Sequence, residues 1–364
     1  MKPTRLYFLD AVRAFAILMM LQGHFIDTLL HPMFRDKSNT AYMVWSYMRG
    51  ITAPVFFTIT GLVFMYLLLK AKEKGTDSTR IKKGVERGLS LILIGYALRF
   101  SFISLMFGEL NLYFLEVDVL QCIGLSLLLL ITIYTISFKN EWLLALLFLV
   151  LGFTIFVSEP LYRDLKLEHT PILFANYLSK QNGSVFTIIP WFGYVCFGGF
   201  IAVLFSKFGM KNYYKRIKII GFFVVGVIML KFSSSILIRL DNWFDIPLFK
   251  DSAYYNYLFS RLGNVLIIFG LFYTFERYLK QAVITKIGQK TLSIYVIHFI
   301  IIYGSFTSIG LNRFFSKSLE PAQAIIGAII FMVVVCLISF YYVKTNTFIY
   351  NKIRQLYERL RSNK

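Results

Sequence analysis

The 364-residue chain is 57% hydrophobic and only 16% charged, with a mean hydropathy of +0.64. A soluble domain carries about 25% charged and about 45–50% apolar residues, so a single soluble core is excluded; a bilayer asks for apolar residues on lipid-facing as well as buried positions. The net charge of +20 does not point to nucleic acid, because the basic residues are scattered between apolar stretches instead of forming one patch.

Ten apolar stretches approach the roughly 20 residues needed to cross ~30 Å of hydrocarbon. They lie near 8–30, 51–70, 88–107, 115–137, 141–157, 185–206, 217–238, 261–278, 285–306 and 323–343. The expected fold is all-α: a polytopic membrane bundle of about ten helices, in one domain spanning 1–364, with no internal repeat. The first stretch follows Lys2 and Arg5 but contains Asp10 and Arg13 and lacks a small-residue cleavage site, so it reads as a spanning helix, not a leader. With the N terminus placed inside, inner segments hold 25 Lys and Arg and outer ones 11, with Arg13, Arg99 and Lys231 inside helices. This asymmetry predicts a cytoplasmic-membrane protein with both termini in the cytoplasm. Outer loops are expected near 31–50, 158–184 and 239–260.

Ionisable groups within such segments cost ~2.5–3.5 kcal/mol each to insert, so they are the first candidates for function. The first helix carries Asp10, Arg13, His24, Asp27 and His31. At about 100° per residue these share one stripe, and Arg13 and His24 are about 20° apart around the axis. Along it they are ~16 Å apart at 1.5 Å per residue, Arg13 towards the inner side and His24 towards the outer. Asp27, one turn beyond His24, can orient its ring. The plainer reading makes Asp10 and Arg13 an intrahelical pair and His24 a packing residue.

Further along, Asp118 and Gln121 stand one turn apart at the start of the fourth stretch, with Arg99 as a possible partner for Asp118. The segment Pro190–Phe200 has glycines suited to close helix packing. Arg261 and Asn264 open the eighth stretch, where Arg261 can equally be an interface anchor. Tyr295 and His298 are one turn apart in the ninth. Cys122, Cys196 and Cys336 sit in separate apolar segments and suggest neither metal nor disulfide. No GxSxG, HExxH or Walker sequence is present, and no metal is assigned.

Leu9-Asp10, then Arg13, then ten residues, then His24 resembles the opening of the acyltransferase-3 family, with Ala14 where many relatives carry Gly. Downstream, RGITAPVFFTITGL (Arg49–Leu62), RGLSLILIGYALR (Arg87–Arg99), VDVLQCIGL (Val117–Leu125), PWFGYVCFGG (Pro190–Gly199) and IGQKTLSIYVIH (Ile287–His298) resemble the bacterial heparan-alpha-glucosaminide N-acetyltransferase-like family. The ordered set runs from Arg5 to about His298. The resemblance implies a membrane-embedded O- or N-acyltransferase moving an acyl group, usually acetyl, from acetyl-CoA or another acyl-CoA to a sugar or related acceptor. On that reading Arg13, Lys83 and Arg87 lie near the donor phosphates, where guanidinium groups suit bidentate contact. His24 is the general base, Asp27 or Asp118 holds its imidazole, and His298 is the second histidine. Asp10, Gln121, Arg261 and Tyr295 complete the substrate-binding set. The alternative class is a secondary transporter with a buried Asp/Arg/His path. It predicts two related halves, which the sequence does not display.

Overall fold

Every one of the ten stretches becomes helix in the computed structural model, which describes residues 6–107, 112–208 and 212–362. The main helices are α1 (Tyr7–Leu29), α2 (Thr40–Glu73), α3 (Asp77–Arg99), α4 (Val119–Ile136), α5 (Glu141–Val157), α6 (Ile188–Lys207), α7 (Asn212–Phe244), α8 (Tyr257–Thr274), α9 (Thr291–Tyr303) and α10 (Pro321–Ser362). Among the described residues no strand forms, only two isolated bridges. Met1–Arg5, and with them Lys2 and Arg5, lie outside the described residues. So does the end of the basic tail beyond Ser362.

Seven of these helices (α1, α2, α4, α6, α7, α8 and α10) contain an apolar window long enough to cross a membrane. The other three fall short for separate reasons. α5 and α9 are apolar but shorter. The first half of α3 reads DSTRIKKGVER, too charged for a bilayer core, so only its second half is apolar.

Four boundaries depart from the sequence expectation. α2 begins at Thr40, well before 51, because the Asn39 side chain caps it, accepting from the amides of Ala41 and Tyr42. α7 likewise runs on to Phe244. Much of the expected outer loops 31–50 and 239–260 is therefore helical. The third stretch ends at Arg99 and resumes as a short helix, Phe102–Met106. The ninth breaks at Lys290, between a short helix Ala282–Gln289 and α9.

Contacts at the helix ends sort them into two layers. At one end, Lys72 on α2 reaches Glu141 of α5 at 2.9 Å, and Lys139, after α4, reaches Asp77 of α3 at 2.8 Å. Lys207, closing α6, also meets Glu141 at 3.4 Å. Lys215 of α7 pairs with Glu276, just past α8, at 2.8 Å, and Glu276 also accepts from the Phe8 amide of α1. At the other end, the His31 amide donates to Leu319 and the Phe102 amide to Phe306, both at 2.9 Å. Here too the Ser184 hydroxyl accepts from the Val117 amide. Successive helices alternate between the two layers, as in a polytopic helical membrane protein.

α1 lies inside the bundle, where Phe8, Val12, Ala16, Ile17 and Leu21 are fully buried. It contacts α2, α8, α9 and α10 and the short helix Ala282–Gln289. α2 packs along α6 with backbones nearly touching: a Cβ on Gly61 would collide with the Val195 carbonyl, and one on Gly198 with the Thr58 carbonyl. Small residues permit such approach between membrane helices. This accounts for glycines of the Pro190–Phe200 segment through packing alone.

Candidate active site

The polar stripe of α1 faces α9, and the two form one seam. Arg13 donates to the Thr291 hydroxyl at 3.0 Å. On α9, Tyr295 follows Thr291 by one turn and His298 follows by another, so all three share a face. The Tyr295 and His298 rings meet edge to face with centroids 4.9 Å apart. The His298 ring is 5.3 Å from that of His24. Tyr303, at the end of α9, closes the seam: its hydroxyl lies 3.0 Å from His24 Nδ1 and 3.4 Å from the Thr28 hydroxyl.

His298 is completely buried, and neither of its ring nitrogens has a hydrogen-bond partner. A buried polar group is ordinarily satisfied, and an unsatisfied one costs ~1–3 kcal/mol. The polar groups beside the ring are the Tyr295 and Ile294 carbonyls of its own helix.

The Arg13 end opens into a cavity of about 140 Å³. Its polar wall is made of Arg13, Arg80, Arg87, Thr291 and Tyr295; its apolar wall comes from α2, α3 and α4. Three guanidinium groups around one void make a site for a polyanion, because each presents a planar fork of donors. Arg80 and Arg87 are seven residues apart on α3, two turns, and so point the same way.

The other sequence candidates go elsewhere. Lys83 is exposed and is not part of the cavity wall, although it lies on the Arg80–Arg87 side of α3. Asp10 also lies outside the wall; its carbonyl is instead the close neighbour of Gly288 on the short helix before α9, where a Cβ would collide with it. His31 is beyond α1 and caps a short turn, accepting from the Met33 amide.

Asp27 and Asp118, expected to hold the His24 imidazole, have other hydrogen-bond and ion-pair partners in the structure. The ring's hydrogen-bond partner is the Tyr303 hydroxyl. Asp27 is engaged by the Arg49 guanidinium of α2, whose side chain also packs on Gly23. Asp118 caps α4 in a reciprocal box with Gln121: the Asp118 carboxylate accepts from the Val119 amide and the Gln121 carbonyl from the Asp118 amide. Arg99 binds both Glu116, at 2.9 Å, and Asp118, at 3.2 Å. Asp118 and Gln121 thus secure a helix start. Arg261 donates to the Tyr47 carbonyl at 2.9 Å and covers the Tyr47 ring, which ties α8 to α2.

Sequence reasoning missed Arg80, Thr291, Tyr303 and Arg49. A heptad step from Arg87 was a signal for Arg80, and one turn before Tyr295 and five residues past His298 were signals for Thr291 and Tyr303. Asp27's need for a cation hinted at Arg49. Among the described residues no group of three or more His, Cys, Asp or Glu stands together as metal ligands would.

No curated protein matches the chain. A family model described as "Heparan-alpha-glucosaminide N-acetyltransferase, catalytic" matches residues 5–233. The matched region takes in α1 to α6 and part of α7, and so includes Arg13, His24, Arg80 and Arg87; α9, with His298, lies beyond it. The match adds nothing to the acyltransferase-3 likeness of the first helix, and an enzyme family does not favour the transporter alternative. More than half of the chain is covered, and on that match, with the bundle that carries it, the protein belongs to the heparan-alpha-glucosaminide N-acetyltransferase catalytic family, a family of membrane acetyltransferases.

Proposed function

We propose that the protein transfers an acetyl group from acetyl-CoA to a hydroxyl or amine of a sugar acceptor, with the two substrates meeting along the α1–α9 seam. The observation that carries this reading is the seam itself: the three-arginine cavity, to which α3 adds Arg80 and Arg87, opens on the α1–α9 pair that also bears His24 and His298, with Arg13 and His24 on α1 ~16 Å apart. Arg13, Arg80 and Arg87 hold the phosphates of the donor, and the pantetheine arm runs past Thr291 and Tyr295 towards His298. Lys83, exposed nearby, adds to the positive field that draws the donor in.

His24 accepts the proton of the acceptor as its oxygen or nitrogen attacks the thioester carbonyl carbon. The new C–O or C–N bond forms, the C–S bond breaks, and the coenzyme A thiolate leaves and takes up the proton. Tyr303 fixes the imidazole through its Nδ1, leaving Nε2 for the acceptor. His298, buried beside His24, contacts the acyl group as it passes. We place the Arg13 end in the cytoplasm, where acyl-CoA is made, and both termini with it, because Lys and Arg concentrate at that end. The membrane is then the cytoplasmic membrane, and the whole chain is one catalytic domain.

The test is purified protein with radiolabelled acetyl-CoA and a panel of sugar acceptors. Wild type is expected to bind acetyl-CoA and form an acetylated sugar. His24→Gln is expected to bind donor but lose ~10²–10⁴-fold in rate, the contribution of positioned proton transfer. A His24→Gln enzyme with near-normal transfer would overturn the base assignment and give the role to His298.

A further inference from the structure

A second cavity lies away from the acyl-transfer seam, at the junction of α5, α6, α7 and α8. It encloses about 340 Å³, and its wall runs from Phe205 and Lys218 at one end to Phe197, Met229 and Leu266 at the other. Lys218 is the only charged side chain among the described residues lining it. The rim residues Ile217 and Val225 are 48% and 43% exposed, so the crevice opens sideways from the bundle, at membrane depth. Gly221, one turn from Lys218, leaves a gap in the α7 wall: a Cβ built there meets nothing within 4 Å.

We propose that this crevice holds one acyl chain of an anionic phospholipid, with the lipid phosphate on Lys218. Three observations converge. The first is length. Lys218 and Met229 are eleven residues apart on α7, ~16 Å, which is about half of the ~30 Å hydrocarbon thickness and hence the depth of one leaflet. The second is the wall. It is almost wholly aliphatic and aromatic, and an empty void of this kind forfeits dispersion contacts on every side, which an alkyl chain restores. The third is charge. The Lys218 ammonium lies over the Phe205 ring, 4.4 Å from its centroid, at the end of the crevice nearest the Lys215–Glu276 and Lys207–Glu141 pairs. Arg216, exposed two residues before Lys218, adds positive charge at the same level, so an anionic headgroup is matched there and a zwitterionic one less so. Lys and Arg side chains near helix ends reach in this way to the headgroup region.

The experiment uses the full-length protein in nanodiscs of equal parts phosphatidylglycerol and phosphatidylcholine, followed by release and native mass spectrometry of retained lipid. Wild type is expected to keep one phosphatidylglycerol in preference to phosphatidylcholine. Lys218→Gln should lower that preference about fivefold, the worth of one basic residue near a charged headgroup. Gly221→Leu should lose retention of both lipids, because the added side chain occupies the crevice. If Gly221→Leu does not fold, Val225→Phe narrows the same opening and is expected to give the same loss. Arg313→Gln, in the opposite layer, should change nothing. A wild type that retains the two lipids equally, retains neither, or is unaffected by Lys218→Gln overturns the proposal.

Discussion

Tyr303 is the most informative position to perturb, because it acts only through His24. In Tyr303→Phe the phenyl ring keeps its contact with Phe299, whose centroid is 4.7 Å away, and only the hydroxyl disappears. That hydroxyl lies 3.0 Å from His24 Nδ1. Its removal leaves a half-buried ring nitrogen without a partner, at a cost of ~1–3 kcal/mol. If the hydrogen bond holds the imidazole in the tautomer and orientation needed to take a proton, that energy reports on the rate. At about 1.4 kcal/mol per factor of ten, transfer should slow by about 5- to 150-fold. The loss should fall on kcat, with acetyl-CoA affinity unchanged, since Arg13 is ~16 Å away along α1. The assay pairs steady-state acetyl transfer with calorimetric acetyl-CoA binding. Thr28→Ala serves as a control, because its hydroxyl contacts Tyr303 at 3.4 Å and not His24. An unchanged rate in Tyr303→Phe, or parallel losses of rate and donor affinity, would refute the assignment of Tyr303 as the group that positions His24.

Arg80→Ala should weaken acetyl-CoA binding by about 10- to 150-fold, the worth of one charge-assisted hydrogen bond of ~1.5–3 kcal/mol, while Lys83→Ala should change it far less; titration calorimetry separates the two. Arg99→Met leaves Glu116 and Asp118 without their common cation and should destabilise the fold by ~3–5 kcal/mol, seen as a lowered Tm in detergent. Asp118→Ala should follow the same pattern of lost stability, with kcat of the surviving folded fraction near wild type. Single cysteines at Gly75 and at Asn182 should label from opposite sides of the membrane, and labelling of Gly75 by an impermeant reagent in intact cells would break the proposed orientation.

The bundle was legible in the sequence because hydrocarbon thickness sets the length of an apolar stretch. All ten stretches were found, and the errors were at their ends. Those errors share a cause: a helix stops where its cap is, not where the bilayer ends. Asn39 starts α2 far outside the apolar stretch, and α7 carries Lys215, Arg216 and Lys218 within its first two turns. The helical period was legible too, since Arg13 and His24 do share the face that meets α9. Pairing between helices was legible only in part: Arg99 was a possible partner for Asp118 and is one. Nothing in the spacing of Asp27 said that Arg49 would take it. Asp118 and Gln121 were placed at the start of the fourth stretch, and the structure makes them its capping box; the pattern of an acidic residue followed three later by Gln was the signal for that role.

The capping role of Asp118 bears on how the site is built. A carboxylate near a buried histidine invites the familiar carboxylate–imidazole pair, yet here the carboxylates nearest the seam are all engaged by arginines: Asp27 by Arg49, Glu116 and Asp118 by Arg99. These pairs fasten α1 to α2 and α3 to the start of α4, so each carboxylate near His24 is held by a guanidinium and none of them is the ring's hydrogen-bond partner. The imidazole is left to a neutral hydroxyl. A neutral partner suits a base that must gain and then lose a proton in each cycle, because it orients the ring without fixing a charge on it. The cationic end is arranged the opposite way. Arg13 donates to the Thr291 hydroxyl, feels the Asp10 carboxylate one turn away, and shares a void with Arg80 and Arg87, so three guanidinium groups stand around one space. One seam thus carries a guanidinium-rich end and a neutral, hydroxyl-bonded end, and on the proposed function that asymmetry separates donor from acceptor along α1.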